Sequence, residues 1–186
     1  MSRWADQKIS IAFVKMLRKQ PVDDVTVIKV CEKAGVNRQS FYYHFKDMNE
    51  LIQYIVRNKL EKYIPKENIY HRWPECLEKI FDYSRKHKSI ILNIYNSSYK
   101  ADFIITLNNY SNFLVKHALE QCLRETKTKI DKEEIAFLET ITGLTFVGIY
   151  QLYLENGLTE DPAKVASWCA KVFRGSFGFI IAKSKE

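Results

Sequence analysis

At 186 residues, 46% of them hydrophobic and 27% charged, the chain is long enough for a sizeable core and too apolar and aromatic for a disordered segment. Only 6 Gly and 4 Pro occur, too few turn signals for closely spaced strands, so an all-α fold is expected. The net charge of +7 is uneven: residues 1–46 hold nine Lys/Arg against four Asp/Glu, a local excess that suits a polyanion partner and that a solvated face would also show.

Taken in chain order, Ile9, Ala12, Phe13, Met16 and Leu17 recur at three- and four-residue spacing, which predicts an amphipathic helix over 4–19 that Pro21 ends. Thr26 is placed as the N-cap of a short helix over 27–34, buried through Ile28 and Cys31, with Gly35 just past its end. Asn37 then caps a helix over 38–45. Asp47 and Glu50 form a variant of the capping box that starts a longer helix reaching about residue 63. A short helix, a glycine turn and a second short helix make a helix-turn-helix arrangement. Residues 65–74, with a proline at each end, break the pattern. Further helices are predicted at about 75–86, 89–96, 103–126, 132–156 and 162–182, giving an N-terminal helix-turn-helix module on a larger helical body of about nine helices in all. The module is assigned to 1–46 and the effector-binding and dimerisation body to 47–186.

Within the stretch GVNRQSFYYHFKD, a turn of about 100° per residue puts Phe41 and Phe45 on one stripe, which a short helix must bury. The opposite face carries Gln39 and Tyr43, with Arg38 and Tyr42 on one side and Ser40 and His44 on the other. The second helix of a helix-turn-helix enters the DNA major groove, where Arg38 can fork onto guanine and Gln39 onto adenine. The tyrosine hydroxyls, His44 and Lys46 suit phosphate, and Thr26 stands at another helix N-terminus that favours an anion. The candidate DNA-binding set is therefore Thr26, Asn37, Arg38, Gln39, Ser40, Tyr42, Tyr43, His44 and Lys46. A solvated aromatic patch or a protein-contact face is the plainer alternative.

The segment running from Thr26 through Gly35 to Phe45 resembles the TetR-family signature T-x-x-x-I-x-x-x-A-G-V-S-x-x-T-F-Y-x-H-F, over roughly residues 8–55. The phrase LRKQPVDDVT, 17–26, is similar to a subgroup that includes the dihydroxyacetone kinase operon regulator. The resemblance implies an all-helical homodimer that binds DNA and whose variable C-terminal body usually holds an effector. Two positions depart from the pattern. Val30 replaces an Ile or similar apolar residue, and Met48 stands where the family usually has a phosphate-touching lysine, which leaves Lys46 as the basic group there.

Residues 135–154 are apolar on more than one face, through Phe137, Leu138, Ile141, Leu144, Phe146, Val147, Ile149, Leu152 and Tyr153, and a helix apolar all round must be buried on all sides. The last helix has Ala166, Ala170, Phe173, Phe177 and Ile181 on one seam, with Gly175 and Gly178 beside it. Two such helices (about 132–156 and 162–182) packed on their symmetry mates would make a homodimer, as the resemblance implies; internal packing in a monomer is the alternative. A dimer presents two reading helices, so its double-stranded DNA operator should be a near-palindrome. Trp73, Phe81, Tyr83, Tyr95, Tyr99, Phe103, Tyr110, Phe113, His117 and Phe146 are the aromatic candidates for a pocket wall, although rings at helical spacing are more often core, and no effector-binding residue is assigned.

Other classes find little support. His71/Cys76 and His117/Cys122 are five apart and do not share a helix face, so no metal site is expected. No cofactor is expected and no catalytic residue is assigned, since nucleophile-elbow, P-loop, dinucleotide and zinc-protease motifs are absent. Cys31, Cys76, Cys122 and Cys169 are far apart and read as buried thiols in a reducing cytoplasm. No signal peptide is visible in the opening residues, and the longest uncharged run, 140–154, is shorter than the ~20 residues of a membrane span. A cytoplasmic, sequence-specific transcriptional regulator is the expectation. Repression relieved by an effector is the first form, with activation or control by a protein partner as alternatives.

Overall fold

The computed structural model describes residues 3–183, and the side chains of residues 4–173. Nine α-helices and no strand occur among the described residues: α1 (Arg3–Leu17), α2 (Val27–Ala34), α3 (Arg38–His44), α4 (Met48–Leu60), α5 (Ile69–Lys86), α6 (Lys88–Tyr95), α7 (Lys100–Thr126), α8 (Lys132–Glu155) and α9 (Pro162–Lys183). They form two compact units. The first holds the chain up to Lys59 together with His87–Thr106; the second holds Leu60–Lys86 and the chain from Leu107 onward. The first compact unit thus extends past residue 46, taking in α4 up to Lys59, α6 and the start of α7.

In the first unit α1 buries Ile9, Ala12, Phe13 and Leu17 against α2 and α3. Each following element starts on a local signal. Thr26 accepts from the Lys29 backbone N–H, and Gly35 closes α2 in the left-handed conformation (φ 67°, ψ 40°), donating its N–H to Cys31 and Glu32. Asn37 accepts from the Ser40 N–H at 2.7 Å and so starts α3. Asp47 accepts from the Glu50 N–H at 2.9 Å, while the Glu50 carboxylate reaches back to the Lys46 N–H at 2.6 Å, one residue earlier than in an ordinary capping box.

The expected phase of α2 needs one correction. Ile28 is exposed, and Val30 lies beside Cys31 in the core. The apolar cluster at 27, 28, 30 and 31 permits two faces, and the one that meets α1 wins.

Helix α6 fastens the loop between α1 and α2. The Asn93 amide accepts from the Val22 N–H at 2.8 Å and donates to the carbonyls of Leu17 (2.9 Å) and Gln20 (2.8 Å). Ser98 donates its hydroxyl and its N–H to Asp23. The loop that leads into α2 is therefore held by side chains as well as by Pro21 and the buried Val22.

In the second unit α5 begins at Ile69, six residues before the expected start, and carries Pro74 in its second turn. A proline so close to a helix start removes a single backbone bond, and the burial of Trp73 and Cys76 on either side offsets that loss. The Tyr70 N–H donates to Gln121, and His71 lies 2.8 Å from Glu125, tying the start of α5 to the end of α7. Packing of α5 on α9 brings Trp73 to Phe173, and Phe146 of α8 joins them with ring centroids 5.4 and 4.2 Å away.

Within the single chain, helix α8 is buried along one face only. Thr142, Gly143, Val147, Tyr150, Tyr153 and Leu154 face the core, whereas Phe137, Ile141, Leu144 and Leu152 are exposed along a second stripe. Its most apolar window has a mean hydropathy of 1.4, long and apolar enough to cross a membrane by length and composition, but only 22% of that window is buried in the chain. A Cβ on Gly143 would clash with the Asn112 side chain, so this glycine permits the close approach of α7 and α8, where Ser111 also donates to the Gly143 carbonyl at 3.0 Å. On α9, Ala166 and Phe173 are buried and Trp168 and Val172 exposed. The side chains expected to continue its seam, Phe177 and Ile181, and the Gly175–Gly178 pair beside it, lie outside the residues whose side chains are described.

Candidate functional site

Helix α3 divides its seven residues between two environments. Phe41 is fully buried and Phe45 nearly so, with ring centroids 5.7 Å apart, and Phe45 packs in turn on Tyr54 at 5.2 Å. Tyr54 is held by a 2.6 Å bond to Asp6 of α1, which, with burial, pushes its phenol pKa up. The inner face is therefore pinned to α1 and α4. The outer face is open: Tyr43 is 79% exposed and Tyr42 50%, and Arg38 and Gln39 are exposed beside them.

Ser40 and His44 are half-buried at the edge of that face, which follows from their angular position between Phe41 and Tyr43. The Arg38 guanidinium stands 6.0 Å from the Tyr42 ring centre, and His44 meets Tyr43 edge-on at 5.1 Å. Thr26 and Asn37 are both exposed but spend a side-chain oxygen on capping. Lys46 is exposed just beyond α3, whereas Met48 is buried and closed to any phosphate. One exposed surface on α3 and its flanks thus carries donors, flat rings and positive charge.

A second feature was not assigned from sequence. A cavity of about 80 Å³ lies inside the second unit, its wall largely aliphatic and aromatic. Of the ten aromatic candidates, Trp73, Phe81, Tyr110 and Phe146 line it; Tyr83, Tyr95, Tyr99, Phe103, Phe113 and His117 do not. Four polar residues join the wall. Tyr110 donates to Glu61 at 2.8 Å, Ser111 is bonded to Gly143, and Tyr150 shares a 2.6 Å bond with Ser84 while burial holds its phenol pKa far above normal. The fourth is Thr142. The only signal for these residues in the sequence is a hydroxyl within an apolar helical run.

All four cysteines are buried free thiols, and burial raises the pKa of each, that of Cys76 to about 12. A buried thiol with a raised pKa is a poor nucleophile. The two histidines considered as metal ligands are engaged otherwise, His71 with Glu125 and His117 with the Phe113 carbonyl.

An all-helical chain that opens on a helix-turn-helix and presents a basic aromatic face belongs to the class of helix-turn-helix transcriptional regulators. Residues 12–55 match the bacterial regulatory proteins of the tetR family, and residues 71–175 match the corresponding transcriptional regulator C-terminal region. The chain belongs to the TetR family of transcriptional regulators.

Among solved structures, the dihydroxyacetone kinase operon activator DhaS superposes with a TM-score of 0.74 at 16% identity, over 94% of this chain and 97% of that one. The ligand-free RolR structure superposes with a TM-score of 0.54 at 16% identity, over 87% and 96%. At that identity the likeness is one of fold. No curated protein matches the chain.

Proposed function

We propose that the protein is a cytoplasmic, homodimeric repressor that occupies a near-palindromic operator and leaves it when an effector binds in the 47–186 body. The observation that carries the DNA-reading part is the division of α3, whose inner rings are locked in a core while Arg38, Gln39, Tyr42 and Tyr43 stand free. Arg38 and Gln39 read base edges at the helix start. Thr26, Asn37, Ser40, Tyr42, Tyr43, His44 and Lys46 set the register by contacts to the phosphate backbone and neighbouring groups. Residues 1–46 supply this module.

The exposed stripe of α8, with Trp168 and Val172 of α9, supports dimerisation: Phe137, Ile141, Leu144 and Leu152 are apolar and more exposed than a soluble chain leaves a whole helix face. Gly148 fits the same reading, since a Cβ there would meet nothing within 4 Å in the single chain, leaving room for a second helix to approach. The cavity supports control by a small molecule. The second reading is activation, or control by a protein partner in place of a ligand; DhaS is by name an operon activator, so a chain of this fold serves that sign too.

The test is selection of bound sequences from a random DNA pool at stated salt, because phosphate-driven affinity depends on salt. A recovered near-palindrome is the expected result. Salt-sensitive binding without sequence preference would overturn specific reading by α3, and an unpaired single motif would overturn the dimer.

A further inference from the structure

We propose that the cavity of the second unit takes a small, uncharged, mostly apolar molecule with one hydrogen-bonding group, and that the Thr142 hydroxyl selects for that group. The biological meaning of such binding rests on the effector reading above; the binding itself does not.

Charge sets the first limit. No described charged side chain lines the cavity, so a carboxylate or ammonium entering it would lose its water and meet no counter-charge. Size comes next. At about 80 Å³ the space is smaller than the roughly 150 Å³ apolar cavity that holds a benzene. A ring of five atoms, or a short branched chain, is the largest occupant without movement of the wall.

The decisive point is the state of the four hydroxyls. Those of Tyr110, Ser111 and Tyr150 already have protein partners. Thr142 is 6% exposed, and its hydroxyl makes no hydrogen bond among the described residues, yet its oxygen is not among the sealed-off buried polar atoms. A buried hydroxyl without a partner costs free energy, and one that keeps accessible surface beside a cavity is available to whatever fills it. The polar recognition in this cavity falls on one donor-acceptor group, surrounded by Trp73, Phe81 and Phe146, which offer only ring surface and edge contacts. That combination fits an alcohol or ketone with an apolar body and excludes a salt.

The test uses the full chain without DNA and three matched probes, cyclopentane, cyclopentanol and cyclopentanecarboxylate, titrated by calorimetry and thermal shift. Wild type should bind the first two saturably and the carboxylate at least tenfold more weakly. In Thr142→Val, close in shape but without the hydroxyl, the ratio of cyclopentanol to cyclopentane affinity should fall roughly fivefold, the worth of one hydrogen bond. Ala118→Leu, which fills the lining, should abolish binding of both. An unchanged ratio in Thr142→Val, equal binding of the carboxylate, no saturable binding of any probe, or full binding by Ala118→Leu would each overturn the proposal. Titration of the selected operator complex with saturating cyclopentanol separates the two ideas. Release by cyclopentanol supports both, and no release with the expected probe pattern counts against the effector reading alone.

Discussion

Two rings on opposite faces of α3 give the sharpest test. Phe41 has no exposed surface and touches Tyr42 and Phe45 with ring centroids 5.5 and 5.7 Å away. Truncation to alanine there loses the transfer term and leaves a cavity that α1 and α2 cannot close, a cost of about 3–5 kcal/mol. In a chain of this size each kcal/mol shifts the melting temperature by about 2–4 °C, so Phe41→Ala should melt roughly 6–20 °C early. Because the chain forms two compact units, that loss should appear in the transition of the first unit if the two melt separately. Tyr43 is 79% exposed, and Tyr43→Ala should change stability by no more than about 0.5 kcal/mol. Its operator affinity should nevertheless fall about tenfold or more, since a hydroxyl bond to phosphate is worth about 1.5–3 kcal/mol. Circular-dichroism melts and fluorescence-anisotropy titrations at fixed salt measure both quantities. Tyr43→Ala melting with Phe41→Ala, or binding operator like wild type, would refute the two-faced account of the helix.

Arg38→Ala should cost about 1–3 kcal/mol of operator affinity and relax preference at one base pair, visible when selection is repeated with the variant. Lys46→Ala should instead weaken all sequences evenly and lower the salt slope of binding by about one. Leu144→Glu places a charge on the exposed stripe of α8; sedimentation velocity across concentrations should show a dimer constant weakened about a hundredfold, while an unchanged constant would move the interface elsewhere. Burial raises the Cys76 pKa from its ordinary 9.0 to about 12, so its contribution is whole below pH 9 and is lost as pH climbs from 9 toward 12, to a limit of about 4 kcal/mol. Urea melts between pH 8 and 10.5 should fall with pH in wild type and less steeply in Cys76→Ala.

The helix-turn-helix was legible because its signals are local. Thr26, Gly35 and Asn37 each act on a backbone group within four residues, and Phe41 and Phe45 declare their face by spacing alone. Ile28 was not legible. Its run of apolar neighbours fits two helix phases, and the choice belongs to α1, which the local pattern does not contain. Pro74 misplaced the start of α5 for a related reason, since a proline that ends most helices is accepted where buried neighbours outweigh one lost bond. The cavity could not be read at all. Trp73, Ser111 and Thr142 are distant in sequence, and residues around an empty volume are as apolar as residues around a filled one.

An effector in the cavity changes DNA binding only if it favours one arrangement of the chain over another, and the difference must reach α3. The chain passes between the two units at 59/60 in α4, at 86/87 before α6, and at 106/107 within α7. Two of these passages bound a single segment, His87–Thr106, and that segment grips the loop ahead of the reading module through Asn93 and Ser98. Asn93 uses one amide to satisfy a carbonyl at the end of α1, another in the turn after it, and the Val22 N–H where the 3-10 turn begins. A shift of α6 by even 1 Å would stretch all three bonds together, because one rigid amide plane makes them. The loop must then follow α6 or lose its partners, and an unpaired buried backbone group is the costlier outcome. The grip on the loop thus rests on three directional bonds from one side-chain amide, a stronger tie than a surface ion pair in the same place would make.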